Sequence, residues 1–433
     1  MRFFGRIKAT DLILVIICMM YLITYIDRVN ISTAALAMQK DLGLTNVQLG
    51  FAFAAFAYPY AFFQIAGGWL GDRLGPRKTL LICGTIWSAA TVMIGFTGGI
   101  VSLVAVRFLL GLGEGAAFPT ATRALSNWMA TSRRGFAQGI THSFARLGNA
   151  LTPPVIALLV VTISWRGSFI VVGLISFAWV ALWWFYFRDD PRDHKHVTPE
   201  EIATLPPMHL AKKTKNVPWR RLFKRILPVT LTDFCYGWTL WLFLSWIPSF
   251  FLHEYHLNIS KSAIFASGVF FAGVVGDTVG GIVSDMILRR TGSASKARIS
   301  VIVTGFLGAF FCMLPVLFVK DLVPIALCLS AAFFFAELIV APIWAAPMDI
   351  APQHSGTAAG FMNFGFGLAG MISPVVFGAI IDATGRWDLP FVASLGLLLL
   401  GAVLAFFIKP DEIFVDEPET AATTLGSNAP VTP

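Results

Sequence analysis

Stretches of mostly apolar residues alternate with short polar segments along this chain. Twelve such stretches lie near residues 11–35, 47–70, 79–97, 101–127, 136–163, 167–187, 226–252, 262–285, 299–319, 322–347, 356–382 and 389–408. A helix that crosses a bilayer needs roughly 20 consecutive, mainly apolar residues. The pattern therefore predicts an all-α membrane protein with twelve transmembrane helices. The first stretch follows Arg2, Arg6 and Lys8 and so begins like a secretory signal. It is too long for one, lacks a small-residue cleavage site and carries Asp27 and Arg28, so a retained helix is expected. Only one polar interruption is long. Residues 188–225 hold a charged run from Asp189 to His196, the pair Pro206-Pro207 and the pair Lys212-Lys213. The expected organisation is a six-helix unit over 1–187, a linker over 188–225, a second six-helix unit over 226–408, and a polar, disordered tail over 409–433.

The two halves repeat each other. Gly67-Gly68 followed by Asp72 recurs as Gly280-Gly281 followed by Asp285, each trailed by basic residues. Glu114 with Pro119 recurs as Glu337 with Pro342. Gly135 and Gly139, with a proline further on, recur as Gly356 and Gly360 with Pro374. Three pairs in one order point to a duplicated unit, and in membrane proteins such duplication places a binding site at the midplane between the halves.

Composition agrees with a membrane protein and narrows its class. The 433 residues are 56% hydrophobic and 13% charged, against about 25% charged in soluble domains. The net charge of +8 does not imply nucleic-acid binding, because the basic residues cluster in alternate loops, at 71–78, 128–135, 188–225 and 286–298. The other loops hold only Lys40, Arg166, Lys261, Lys320 and Arg386. That bias places both termini and the linker in the cytoplasm. The five cysteines all sit in apolar segments without CxxC spacing, where they pack as small hydrophobes; no metal site or cofactor is expected. No HExxH or GxSxG constellation points to an enzyme, and a seven-helix receptor has too few spans.

Charged residues inside the apolar stretches mark the candidate site. A charge within a span costs about 2.5–3.5 kcal/mol on insertion scales, so it faces a partner or a watery cavity. Asp27 and Arg28 lie in the first stretch, Arg107 and Glu114 in the fourth, Arg146 in the fifth and Glu337 in the tenth. The first half embeds Arg28, Arg107 and Arg146 against Asp27 and Glu114, whereas the second embeds Asp233, Asp277 and Glu337 with no cation at similar depth. On this count an anionic ligand is held against the first half, with aromatic and amide contacts such as Tyr236, Trp241, Trp344 and Asn363 from the second.

The loop Gly67-Gly68-Trp69-Leu70-Gly71-Asp72-Arg73-Leu74-Gly75-Pro76-Arg77-Lys78 resembles the signature of the major facilitator superfamily, and the resemblance extends over the whole chain. Within that superfamily, Tyr25-Ile26-Asp27-Arg28-Val29-Asn30 and the run from Arg107 through Glu114 to Pro119 resemble the anion:cation symporters. Trp128 with Arg133-Arg134, and Trp344-Ala345-Ala346-Pro347, fit the same group. The resemblance implies proton-coupled uptake of sugar acids, tartrate, phthalate or related carboxylates. It implies that Arg28 contacts the substrate carboxylate, with Tyr25, Tyr60 and Asn363 as polar neighbours. Asp27 and Glu114 become the protonatable pair, Arg107 their charge partner, and Asp72, Arg73 and Asp285 part of the gating loops. Ala145-Arg146 departs from the sugar-acid pattern, where a polar amide is usual.

Adjacent residues on a helix diverge by about 100°, so Asp27 and Arg28 each need a partner elsewhere. Tyr21, Tyr25 and Arg28 share one face. An arginine fork matches a carboxylate bidentately, and Arg28 is expected to be unpaired and available for this. Arg107 and Glu114, seven residues apart, share a face two turns apart, so one of them is expected to reach Asp27. Glu337 is either a proton-coupling group or the duplicated copy of Glu114. Arg146 suggests a substrate with two carboxylates, such as tartrate, glucarate or an aromatic diacid, the alternative being an ion pair with an acid of a neighbouring helix. His142 reads as a buried hydrogen-bonding group. The expected ligands are a small organic anion and protons, with a lipid bilayer and no nucleic acid as surroundings, and a monomer suffices. A proton-driven exporter of organic cations would favour carboxylates over Arg28 and Arg146, and a sensor would need a signalling domain.

Overall fold

A computed structural model describes residues 8–44, 46–206, 217–257 and 259–415, all of them in helices, turns or loops without a strand. In chain order the α-helices are α1 (Ala9–Leu42), α2 (Asn46–Leu74), α3 (Pro76–Ile94), α4 (Ile100–Gly115), α5 (Ala117–Trp128), α6 (Arg134–Thr162), α7 (Trp165–Tyr186), α8 (Pro199–Thr204), α9 (Trp219–Glu254), α10 (Ile259–Thr291), α11 (Ala294–Met313), α12 (Leu322–Leu338), α13 (Val340–Ile350), α14 (Ser355–Thr384) and α15 (Pro390–Ala405). Seven stretches among the described residues are long and apolar enough to cross a membrane: Ala9–Ile31, Ile100–Trp128, Trp165–Tyr186, Ile264–Thr291, Ala294–Leu317, Leu322–Ile350 and Pro352–Ile381. Helix α15 is equally apolar but shorter. Polar side chains dilute some of the other expected spans: α6 carries Arg134, Gln138, His142, Arg146 and Asn149, and α9 opens on Arg220, Arg221, Lys224 and Arg225.

The sequence expected unbroken helices over 101–127 and 322–347, but both are interrupted. The first breaks at Ala116, two residues after Glu114, and the second at Ile339, two residues after Glu337. The cause is the same in each. Pro119 and Pro342 have no N–H to donate, and their rings clash with a preceding turn in a helix interior. Both therefore sit in the first turn of a new helix, α5 or α13, where no intrahelical donor is needed. The glutamate–proline repeat is thus a repeat of backbone geometry.

One end of the molecule is closed by two matching latches. Asp72, at the end of α2, accepts bonds from Gly356 N (3.0 Å), Thr357 N (2.7 Å) and Thr357 Oγ1 (2.6 Å) at the start of α14. Asp285 on α10 accepts from Gly135 N (3.0 Å) and Phe136 N (2.7 Å) at the start of α6. Each carboxylate satisfies the second and third N–H groups of its helix, which have no partner within the helix and carry the positive end of its dipole. The backbones meet beside both latches: a methyl group on Gly68 would overlap the Gly356 carbonyl, and one on Gly281 the Gly135 carbonyl. Arg298 bridges Asp285 (2.9 Å) and Asp349 (3.0 Å), and Arg134 also reaches Asp349 (2.9 Å).

Part of the linker packs against the same end. Arg77 N donates to Asp189 (2.9 Å), Trp128 Nε1 donates to the Arg188 carbonyl (2.8 Å), and Thr198 and Glu201 form a capping box that also holds Thr10. Lys212-Lys213 lie outside the described residues, as does 416–433 of the expected disordered tail. The tail's first residues are packed rather than free: Asp411 caps α11 through Ser293 Oγ (2.7 Å) and Ala294 N (2.6 Å), and Phe414 N donates to the Ile350 carbonyl (2.7 Å).

Candidate functional site

Helix α1 directs neighbouring charges to opposite sides. Arg28 Nε donates to Glu114 Oε2 on α4 at 2.7 Å, while Asp27 accepts from Ser176 Oγ on α7 at 3.2 Å. Arg28 is therefore paired, contrary to the sequence expectation, and its partner is one of the two residues, Arg107 and Glu114, of which one was expected to reach Asp27. The reason is the helical phase: glycines fix α4 against its neighbours, Gly111 and Gly115 against α2 and Gly113 against α3, and Glu114 is left facing α1. Among the described residues, Arg107 Nε donates to the Ala52 carbonyl (3.2 Å) and its guanidinium lies over Phe56 (4.9 Å).

The Arg28 guanidinium is enclosed by aromatic rings, 4.3 Å from the centroid of Tyr60, 4.9 Å from Tyr25, 5.0 Å from Phe118 and 5.3 Å from Phe56. Ring faces attract cations, so the guanidinium is held in place while its Nη2 has no hydrogen-bond partner among the described residues.

A second cluster surrounds Arg146 on α6. Its Nη2 donates to Glu337 Oε2 (3.0 Å) and to Tyr236 Oη (3.1 Å), and its Nη1 to Tyr25 Oη (3.4 Å). Its Nε lies 3.8 Å from Asp277 Oδ2. Tyr236 Oη donates to the same Glu337 oxygen at 3.0 Å. Arg146 thus has the acidic partners that were the alternative to a ligand-binding role, and it also lines a cavity. His142, one turn earlier, bonds the Gln138 carbonyl through Nδ1 (2.9 Å) and packs against Trp344 and Tyr21.

Two adjoining chambers join these clusters. The inner one, of about 20 Å³, is bounded by Arg146, His142, Tyr236, Trp344, Asn363 and Phe118. The outer one, about 530 Å³, includes Arg28, Arg107, Phe56, Asn149, Trp241 and Ser267. Both share Tyr25, Tyr60 and Phe366. Helix α6 runs from the latch at Gly135 past Arg146 to Asn149, so the outer chamber lies on the side away from the latches. The amide nitrogen of Asn363 and the indole nitrogen of Trp241 have no partner among the described residues, leaving donors at the cavity wall. Every sequence-selected binding residue, Arg28, Tyr25, Tyr60, Arg146, Tyr236, Trp344 and Asn363, lines one chamber or both.

Other selected residues fall elsewhere. Asp72 and Asp285 are the latch carboxylates. Arg73, assigned to the same gate, is exposed and stacks on Trp69 (5.0 Å); the cation beside Asp72 is Arg123, at 3.6 Å. Sequence reasoning overlooked Arg123, Arg298 and Asp349 at the closed end and left Asp277 out of the site. Their charge within or beside apolar stretches was the available signal.

The helical arrangement is shared with known membrane carriers. The proton:xylose symporter XylE superposes with a TM-score of 0.75 at 16% identity, covering 93% of this chain and 97% of that one. The transporter FucP superposes with a TM-score of 0.70 at 15% identity, covering 93% and 100%. The family model of the Major Facilitator Superfamily matches residues 17–374, and the chain belongs to that superfamily; it is an integral membrane transporter and not an enzyme. It is 49% identical over 421 residues to a probable sulfoacetate transporter of Cupriavidus necator, covering 96% of this chain and 97% of the relative. It is 32% identical to a D-galactonate transporter of Escherichia coli, with 94% and 97% covered, and 29% identical to a probable galactarate/D-glucarate transporter of Escherichia coli, with 92% and 93% covered.

Proposed function

We propose that this protein is a proton-coupled symporter that imports a small organic acid bearing two anionic groups, with sulfoacetate the first candidate. The observation that carries this reading is the placement of two arginines around one ring. The guanidinium carbons of Arg28 and Arg146 lie 4.9 and 5.7 Å from the centroid of Tyr25, so one short ligand with an anion at each end reaches both. Sulfoacetate, a carboxylate and a sulfonate joined by one carbon, has that shape. The relative at 49% identity supports the choice, and the sugar-acid relatives support the wider class.

In this reading twelve spans form two pseudo-symmetric six-helix bundles, over 1–187 and 226–408, in the inner or plasma membrane, with both termini and the latched end in the cytoplasm. The latched end is shut and the outer chamber faces outward, so the described conformation is the one that receives substrate. Arg28 Nη2 and Arg146 take the two anionic groups, and Tyr25, Tyr60, Tyr236, Trp344 and Asn363 complete the site. Asp27 and Glu114 carry protons: when substrate competes for Arg28, Glu114 loses its cation, and a buried carboxylate without a partner binds a proton instead. Arg107 sets the local charge. Opening of the Asp72 and Asp285 latches completes alternating access, and a monomer suffices.

The test is uptake into proteoliposomes. Sulfoacetate is expected to accumulate against its gradient when the outside is acidic, and to stop doing so when a protonophore is added. Asp27→Asn and Glu114→Gln are each expected to lower the accumulation ratio, because fewer protons move with each substrate, while leaving exchange of internal for external substrate, which needs no net proton movement. Uptake that ignores the proton gradient would reject symport, and preference for an organic cation would reject the anion reading.

A further inference from the structure

The cluster around Arg146 contains more acid than base. Asp277 on α10 and Glu337 on α12 flank the single guanidinium of Arg146, at 3.8 and 3.0 Å, and both side chains are fully buried. Glu337 packs into the notch that Gly273 and Gly276 leave on α10, beside Asp277, where a methyl group on Gly273 would come within 2.9 Å of its Cγ. The other titratable groups of the cluster are Tyr236 from α9, which bonds Glu337, Tyr25 from α1, which bonds Arg146, and His142 from α6, which lines the same cavity as Arg146. Among the described residues none of these adds a second cation at hydrogen-bonding distance.

The two acids are not equivalent. Glu337 Oε2 accepts two bonds, from Arg146 and Tyr236, whereas neither oxygen of Asp277 accepts from an N–H group or a hydroxyl among the described residues. Burying a carboxylate with no hydrogen bond costs several kcal/mol, and the group escapes that cost by holding a proton. Two acids sharing one site do not both ionise readily.

We infer that Asp277 and Glu337 form, around Arg146, a proton-binding site of the second half, separate from Asp27 and Glu114, that takes up a proton when an anion draws Arg146 away. The inference rests on the anion-binding reading of Arg146 given above. At rest Arg146 is positive, Glu337 negative and Asp277 a neutral acid, so the cluster carries no net charge. When an anionic group of the substrate pairs with Arg146, the Glu337 carboxylate loses its cation. One proton from the open side then bonds to the acid pair, and charge is again balanced. Departure of the anion returns Arg146 to Glu337, and that proton leaves. The site thus adds one proton per anion to whatever the first half carries, and Asp277 keeps the pair from bearing two negative charges at once.

Two measurements on the full-length protein test this. First, infrared spectra of the ligand-free protein are compared with those of Asp277→Asn, in which the amide keeps the shape of a neutral acid. The difference spectrum is expected to contain a protonated carboxylic acid lost on substitution. Its absence would overturn the shared proton, whether or not any substrate is known. Second, proton uptake from weakly buffered solution is measured as sulfoacetate is added, with binding followed in parallel by calorimetry. Each single variant, Asp277→Asn or Glu337→Gln, keeps one acid beside Arg146 and is expected to keep the uptake. The double variant is expected to bind sulfoacetate with about one proton fewer per anion. Equal uptake by wild type and double variant overturns the proposal. If wild type does not bind sulfoacetate, the substrate reading fails and the infrared comparison alone decides the proton site. That comparison also decides it if the double variant does not fold.

Discussion

At Arg28 one guanidinium is asked to do two things. Its Nε is committed to Glu114, and its Nη2 is left over in an aromatic enclosure beside the outer chamber. A lysine ammonium keeps the charge but is a single point with no fixed fork. Arg28→Lys must therefore choose between Glu114 and the substrate. A charge-assisted hydrogen bond contributes about 1.5–3 kcal/mol, so calorimetry is expected to find sulfoacetate binding weakened roughly 10- to 100-fold in folded protein. Unchanged affinity would remove Arg28 from the site. Which charged residues would gather around the cavity was legible at this scale, because an arginine or glutamate inside an apolar stretch has few reasons to be there. Which residue met which was not legible. Adjacency told that Asp27 and Arg28 diverge, but the partner of each depended on the rotation of α4 and α7. Those rotations are set by glycine contacts such as Gly113 against Trp87, a property of tertiary packing that no single-helix pattern contains. Asp277 escaped selection for a related reason: its meaning comes from Glu337 on another helix.

Among the elements, the helix termini carry the most specific chemistry. Pro119 and Pro342 were legible as a repeat, yet only the backbone reveals that each sits in the first turn of a new helix. Asp72 was readable as part of a gating loop. Its recipient, α14, lies 284 residues away at Gly356, and no local signal names it. Helix α11 offers a cleaner measurement because its cap is outside the spans. Burial opposes ionisation of Asp411, but hydrogen bonds from Ser293, Ser295 and the Ala294 backbone prevail and hold its carboxyl below the usual range. A lowered folded value means that the cap stabilises at pH above the unfolded value, near 3.9, and loses this as pH falls through the folded value. Asp411→Ala is expected to cost about 1 kcal/mol of stability at pH 7, the usual worth of such a cap. Thermal unfolding in detergent should register that difference, and it should vanish in strong acid. A difference that persists undiminished there would mean the residue acts through packing instead of charge.

Over the whole molecule, the two latches use the same register: each aspartate grips the second and third amides of a helix belonging to the other half of the sequence, α2 to α14 and α10 to α6. The duplication seen in the glycine and aspartate motifs therefore reappears as a reciprocal clasp. At their closest approach the clasping helices meet main chain against main chain, Gly68 with Gly356 and Gly281 with Gly135. A seam of that kind works like a ground-glass joint, sealing because nothing stands proud of either surface. A grain on one face is enough to hold it ajar. Gly68→Ala supplies such a grain, a single methyl where the opposing carbonyl already sits, and it leaves the ligand cavity untouched. Spin labels placed across the latched end are expected to report a longer separation in Gly68→Ala than in wild type, with the shut population depleted. Identical distance distributions would mean that the joint has slack. If the wedge holds, it supplies a carrier arrested in its unlatched posture, which antibodies or small molecules selective for that posture could be raised against without any substrate present.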